Sequence, residues 1–258
     1  MELGIMQGRL YPNDLKKINL FPKKWKNEFQ QLNKIGFDYL ELIYDRDQSP
    51  SNPLINKKLN RKKISKIIKN KIYSINLDFF TQHHILKNIL YYKELLKKII
   101  QNSELLKIKL IVIPCIEKNK MNNKELISFI KILKKLILKK KIRISLEIDK
   151  FDQRVLSLCN KKIGICYDTG NMAVGSKDYL SKFKSNIKII NHIHLKDKFV
   201  TKTKGINCRL GDGIVKFNKF FSILKSKKYN GKITLETNMG KKPLLEAKKN
   251  LKFVRNFL

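Results

Sequence analysis

Apolar and polar positions along the chain follow two alternating rhythms. Short runs rich in Ile, Val, Leu and Tyr are separated by longer stretches in which apolar residues recur every three to four positions. The first rhythm is that of strands buried in a sheet, the second that of amphipathic helices. Strands are predicted at Leu3–Met6, Asp38–Tyr44, Ile72–Phe79, Leu110–Ile113, Arg143–Ile148, Ile163–Tyr167, Ile187–Leu195 and Ile233–Glu236. Helices are predicted over Lys24–Ile35, Ile55–Asn70, Ile85–Leu106, Lys124–Lys140, Gln153–Cys159, Lys177–Lys184, Phe217–Lys227 and Pro243–Phe257. Pro50 and Pro53 break the chain ahead of the second helix, and Pro114 ends the fourth strand. The stretch from Lys198 to Gly213, with Gly205, Gly211 and Gly213 inside it, reads as the longest loop.

Alternation of strand and helix from end to end, with no compositional shift that marks a linker, predicts one α/β domain over residues 1–258. A single (β/α)8 TIM barrel is the natural solution near the ~250 residues typical of that fold. A doubly wound open sheet would want a glycine-rich phosphate turn after the first strand, and Gly4 and Gly8 do not make GxGxxG.

The seventh strand carries an unusual face. In Asn191-His192-Ile193-His194-Leu195-Lys196-Asp197, side-chain alternation puts His192, His194 and Lys196 on one side and Ile193, Leu195 and Asp197 on the other. Two imidazoles and an ammonium make a costly core face and a sensible mouth for a site, although a strand end with ordinary polar residues is the plainer reading. In a barrel the site is built where strands end. Glu147 ends strand five, Asp168 strand six, His194 strand seven and Glu236 strand eight. Each alone reads equally well as a helix cap, Asp168 above all. Together, three carboxylates and one imidazole suit one divalent ion, Mn²⁺, Mg²⁺, Co²⁺ or Zn²⁺. Gln7, Arg9, His192, Lys196 and Asn171 are candidates for holding substrate oxygens. Glu41, Asp78 and Glu117 also fall near strand ends and read as caps or surface charges.

The net charge of +36 would ordinarily suggest nucleic acid. The positive charge is nearly all Lys, however, and it is spread over every predicted helix instead of one stripe. A chain-wide Lys bias therefore explains it, with nonspecific polyanion binding at low salt and no specific nucleic-acid partner expected. No apolar run approaches the ~18 residues of a membrane span. Met1–Met6 runs straight into a strand pattern without a signal-peptide layout, and the four Cys are far apart without CxxC spacing. A cytoplasmic protein with reduced thiols is expected.

Several segments in this order resemble the xylose isomerase-like TIM-barrel superfamily, in its branch of sugar-phosphate isomerases and sugar epimerases. They are Leu3-Gly4-Ile5-Met6-Gln7-Gly8-Arg9-Leu10, Gly36-Phe37-Asp38-Tyr39-Leu40-Glu41-Leu42, Ser145-Leu146-Glu147, Tyr167-Asp168-Thr169-Gly170-Asn171, His192-Ile193-His194-Leu195-Lys196-Asp197, Leu210-Gly211-Asp212-Gly213 and Leu235-Glu236. The resemblance implies that Glu147, Asp168, His194 and Glu236 bind one divalent metal and that Glu147 and Glu236 are the catalytic pair moving a proton of a small carbohydrate. A metal on a carbonyl and its neighbouring hydroxyl acidifies the intervening C–H and stabilises an enediolate, which two carboxylates then serve as acid and base. Aldose–ketose isomerisation or ketose epimerisation is the activity implied, and dehydration of a keto-cyclitol is a related chemistry on a similar scaffold. Barrels of this kind often pair as homodimers. Ketose epimerases of this kind often carry His three residues after the aspartate, where this chain has Asn171. The superfamily's DNA-repair endonucleases need three metals and many more His. Here only His83 and His84 are spare, and Gly205-Ile206-Asn207 replaces their Asp-x-His segment.

Overall fold

A computed structural model describes residues 1–11, 21–54, 64, 66, 68, 71–201 and 205–258. Eight parallel strands close into a barrel: β1 (Leu3–Met6), β2 (Tyr39–Ile43), β3 (Ile72–Asn76), β4 (Leu110–Pro114), β5 (Arg143–Glu147), β6 (Ile163–Asp168), β7 (Ile190–Leu195) and, last in the ring, β10 (Ile233–Leu235). Sequential strands are neighbours, and β10 sits between β7 and β1 with Leu3 opposite Ile233. The (β/α)8 architecture read from the alternation of rhythms is the one observed.

The helices between strands are α1 (Asn27–Ile35), α2 (Ile89–Leu105), α3 (Asn123–Ile137), α4 (Gln153–Leu156), α5 (Thr169–Gly175), α6 (Tyr179–Asn186), α7 (Phe217–Ser226) and α8 (Pro243–Arg255). Each buries one stripe. In α3, Leu126, Phe129, Ile130, Leu133 and Ile137 recur at helical spacing and face the barrel. Asn122 starts that helix with a capping box: its Oδ1 accepts from Glu125 N at 3.0 Å, and Glu125 Oε2 accepts from Asn122 N at 2.8 Å. The predicted helix Ile55–Asn70 lies outside the described residues, except that Ile64 and Ile68 are buried.

Four boundaries differ from the sequence pattern. The third strand stops at Asn76 because Asp78–Gln82 forms a 3-10 turn that packs Phe79 and Phe80 against Tyr44 and Tyr92. The seventh starts at Ile190, since Ile187–Ile189 is a 3-10 turn closing α6; the alternation in Ile-Lys-Ile-Ile fits either form. Residues 169–186 form two helices, α5 and α6, in place of the single one at Lys177–Lys184. The expected loop after the seventh strand carries an antiparallel ribbon, β8 (Asp197–Val200) with β9 (Gly205–Cys208).

That ribbon is tied down by one carboxylate. Asp197 Oδ2 accepts from Gly211 N and Gly213 N, both at 2.9 Å, and Oδ1 from Lys198 N at 2.9 Å and Val215 N at 3.1 Å. A Cβ at position 213 would overlap Asp197 Oδ1, so only glycine lets the backbone approach this closely. The barrel interior differs in character from the shell between strands and helices. The shell is one continuous apolar cluster, whereas inside the barrel Leu110, Val112 and Cys166 form a small separate one beside polar side chains.

Candidate functional site

Parallel register brings the strand-end residues to one level. Asp168 on β6 lies opposite His194 on β7, which lies opposite Thr234 on β10, and Glu147 on β5 lies opposite Cys166. Alternation along β7 then turns His192, His194 and Lys196 inward in rising order. Glu147, Asp168 and His194 offer ligand atoms that all lie within 4.8 Å of one another. Glu236 joins from just beyond β10, its Oε2 3.1 Å from His194 Nδ1. Lys196 Nζ lies 2.9 Å from Asp168 Oδ2 and 2.8 Å from Glu236 Oε1.

Asp168 does two jobs with its two oxygens. Oδ1 caps α5, accepting from Asn171 N at 2.7 Å, while Oδ2 faces the cluster. Asn171 in turn donates from Nδ2 to Glu147 Oε1 at 2.9 Å and accepts at Oδ1 from Lys198 Nζ at 2.6 Å. These groups border a cavity of about 590 Å³, whose described lining includes Asn76, Asp78, Glu147, Asn171, Lys196, Lys198 and Glu236.

The donor set fits a divalent ion on an observation independent of residue type. Asp168 Oδ2, His194 Nδ1 and Glu236 Oε2 are buried and have no hydrogen-bond partner, although Lys196 and His194 lie within ion-pair distance. Buried polar atoms are normally satisfied, and these three converge where the Lys196 ammonium already lies 2.9 Å from Asp168 Oδ2, so the cluster suits a cation. Three carboxylates and a borderline nitrogen are ligands for Mn²⁺, Mg²⁺, Co²⁺ or Zn²⁺.

Electrostatics separates the two glutamates. Burial, together with the charges of Asp168 and Glu236, pushes the Glu147 carboxyl up to about 8. Burial would raise Glu236 as well, but Lys196, His194 and Arg9 outweigh it and hold this carboxyl below its ordinary range. Without a metal, the two carboxyl groups of one cavity therefore differ in proton affinity.

Beneath this level Glu41 sits fully buried in the barrel, in an otherwise apolar strand. His194 Nε2 lies 2.8 Å from its Oε1; His192 Nε2 at 2.6 Å, Ser74 Oγ at 2.6 Å and Thr234 Oγ1 at 2.8 Å surround its Oε2. Burial opposes its charge, yet the two imidazoles prevail and keep its pKa well below the carboxylate range. His192, among the candidates for substrate contact, is wholly buried against Glu41, and burial lowers its pKa. Sequence reasoning gave Glu41 no role in the site; the signal available was a lone carboxylate within Tyr39-Leu40-Glu41-Leu42-Ile43 facing a chain with two inward His.

Gln7 and Arg9 lie deep as well. Gln7 Oε1 accepts from Ile43 N at 3.1 Å, and Arg9 donates to Thr237 O at 3.1 Å and Gln7 O at 3.0 Å. Neither is among the described lining residues of the cavity. The loop bearing them is pinned by Glu28 of α1, whose Oε1 accepts from Gly8 N at 2.7 Å and Tyr11 N at 3.3 Å; burial raises Glu28 to about 7. Asp78 and Glu117 pair with Arg46 at the rim. His83 stacks on Phe79 and His84 faces Glu125, so neither spare imidazole joins the cluster. All four cysteines are buried free thiols. No helix among the described residues is long and apolar enough to cross a membrane.

Comparison with known proteins agrees with this architecture. A family model described as a xylose isomerase-like TIM barrel matches residues 29–257. Inosose dehydratases of Geobacillus thermodenitrificans (strain NG80-2) and Lactiplantibacillus plantarum (strain ATCC BAA-793 / NCIMB 8826 / WCFS1) are each 30% identical, over 91 and 93 residues. Each match spans 30% of this chain and 30% of the relative's length. The IolI protein with a bound zinc atom superposes at a TM-score of 0.74 and 17% identity, covering 100% of this chain and 99% of that one. An L-ribulose 3-epimerase gives 0.76 at 14% identity over 100% and 95% of the two chains. D-psicose 3-epimerase with D-tagatose from Clostridium cellulolyticum H10 gives 0.74 at 14% over 100% and 99%. At these identities the likeness speaks for the fold.

Proposed function

Since the chain belongs to the xylose isomerase-like TIM barrel family, we propose that it is a divalent-metal enzyme that epimerises or isomerises a small uncharged sugar by moving a proton next to a carbonyl. The observation that carries this reading is the pair Glu147 and Glu236, three strands apart in the ring and bordering one cavity. Glu236 on one side of the substrate takes the proton from the carbon beside the carbonyl, and Glu147 on the other delivers one in return. Lys196 holds Glu236 in its ionised form and in place, and Asn171 orients Glu147 through its Nδ2. A divalent ion held by Glu147, Asp168, His194 and Glu236 would supply polarisation of the carbonyl and its neighbouring hydroxyl.

The substrate is argued from charge. Although the chain carries +36, the described lining has five acidic side chains (Asp78, Glu117, Glu147, Asp149, Glu236) against three basic ones, Arg46, Lys196 and Lys198. Each of those cations is already engaged, with Asp78 and Glu117, with Asp168 and Glu236, and with Asn171 respectively. A phosphate wants a donor cluster that is still open. This lining favours hydroxyl groups instead.

A second reading, dehydration of a keto-cyclitol, is favoured by the two inosose dehydratase matches. It uses the same first step, with Glu147 protonating the departing hydroxyl instead of the carbon. Incubation in D₂O with Mn²⁺ and a panel of ketoses and an inosose, followed by NMR, tests both. Deuterium appearing at the inverted or newly bonded carbon supports the first reading; loss of water with a new conjugated carbonyl supports the second. Absence of exchange from every substrate, with metal bound, would overturn both.

A further inference from the structure

The buried carboxylate beneath the cluster determines which nitrogen of His194 can serve a metal. We infer that Glu41 is a positioning residue: by accepting the Nε2 proton of His194 it fixes the tautomer whose bare Nδ1 faces Asp168 and Glu236. This rests on the metal reading above and adds a residue to it.

The geometry is explicit. Glu41 is an acceptor only, so a neutral His194 at 2.8 Å from Oε1 must carry its proton on Nε2. The same holds for His192, 2.6 Å from Oε2. Both rings then present Nδ1 as a lone pair, and both Nδ1 atoms are indeed without a hydrogen-bond partner. In His194 that nitrogen lies 3.1 Å from Glu236 Oε2 without hydrogen-bond alignment to it. A nitrogen so close to a carboxylate oxygen calls for a positive charge, a proton in the metal-free chain or a divalent ion in its place. Glu41 itself cannot turn away. Its Oε2 is gripped by Ser74 Oγ and Thr234 Oγ1 as well as His192, and Tyr39 OH braces Thr234 at 3.0 Å. Metal-bound imidazoles commonly lean on a carboxylate in this way, and removing it costs about 10- to 100-fold in metal affinity.

Glu41→Gln makes the inference testable because its orientation is predictable. Three donors surround the Oε2 position and one faces Oε1, so the amide oxygen goes to the three and the NH₂ faces His194. That ring must then accept at Nε2 and carry its proton on Nδ1, where the metal belongs. Titration of the purified full chain with Co²⁺ should show affinity about 10- to 100-fold weaker in Glu41→Gln, with altered visible absorption bands. Ser74→Ala, which removes a bond to the same carboxylate but leaves its charge and its His194 contact, should bind Co²⁺ as the unaltered chain does. Long-range ¹⁵N NMR of the Zn²⁺-loaded unaltered chain should find His194 protonated on Nε2 and bare on Nδ1; this measurement decides the matter even where Glu41→Gln does not fold. A Nδ1 proton in that spectrum, or unchanged Co²⁺ affinity and bands in Glu41→Gln, would overturn the inference and leave the metal reading standing. Failure of the unaltered chain to take up either ion would overturn both.

Discussion

The same eight strands face two different media. Outward, Leu40, Ile75, Ile111, Leu146, Ile165, Ile193 and Leu235 meet Phe29, Leu96, Phe129, Phe183 and Phe220 in one continuous apolar layer. Inward, Glu41, Ser74, Ser145, His192 and Thr234 lie equally buried but polar. The outer layer is held by area removed from water, which is insensitive to direction and tolerant of shape-conserving exchange. The inner one is held by hydrogen bonds whose donors and acceptors must match, so a change of one proton propagates. Stability is therefore concentrated in the shell and chemistry in the interior.

Glu147→Gln should break the interior while sparing the shell, and it carries the largest expected effect. A loss of about 10²- to 10⁴-fold in kcat, with an unchanged far-UV spectrum, is expected for removing a proton donor or acceptor; steady-state assay on the substrate found by exchange checks it. Phe129→Ala should do the reverse. It sits wholly buried on α3, and its truncation is expected to cost about 3–5 kcal/mol in denaturant unfolding while activity per folded molecule is kept. Loss of kcat in proportion to stability would mean that the two media are coupled.

Glu28 sharpens the comparison because it is a buried carboxylate serving a loop. Its folded pKa of about 7 lies above the unfolded value near 4.5, so the folded state binds the extra proton in between. The contribution of Glu28 to stability should be fully present below about pH 4.5 and fall by about 3 kcal/mol as pH rises to about 7. Glu28→Gln keeps an acceptor for Gly8 and Tyr11 and should flatten that slope in a series of urea melts. Chelation is the mildest test. Removing a divalent ion present at 100 times its Kd should lower unfolding free energy by about 2.7 kcal/mol, and the drop should be absent in His194→Ala and unaltered in Phe129→Ala.

How far the sequence anticipated these two media follows from what each leaves in the chain. Shell residues write a periodic signal, so barrel, strand order and most helices were legible. Strand-end groups were legible too, because position within a barrel limits where Glu147, Asp168, His194 and Glu236 point. Glu41 was not. Its partners His192 and His194 lie 151 and 153 residues away, and a single carboxylate in a strand has no period. Gln7 and Arg9 read as candidates for holding substrate oxygens, and only tertiary packing shows that they are committed to backbone groups. The ribbon β8–β9 was hidden by its glycines, since the Asp197 carboxylate that gathers Gly211, Gly213 and Val215 acts across distance in sequence.

The pairing of Leu3 with Ile233 has a consequence for how the molecule comes into being. Seven of the eight barrel strands are synthesised before β10, and until it arrives β1 and β7 remain open edges able to pair with another chain. Contacts of such long sequence separation form slowly. Glu236 directly follows this closing strand, so it joins Glu147, Asp168 and His194 only when the ring shuts. Closure of the ring and completion of the buried cluster are thereby the same event.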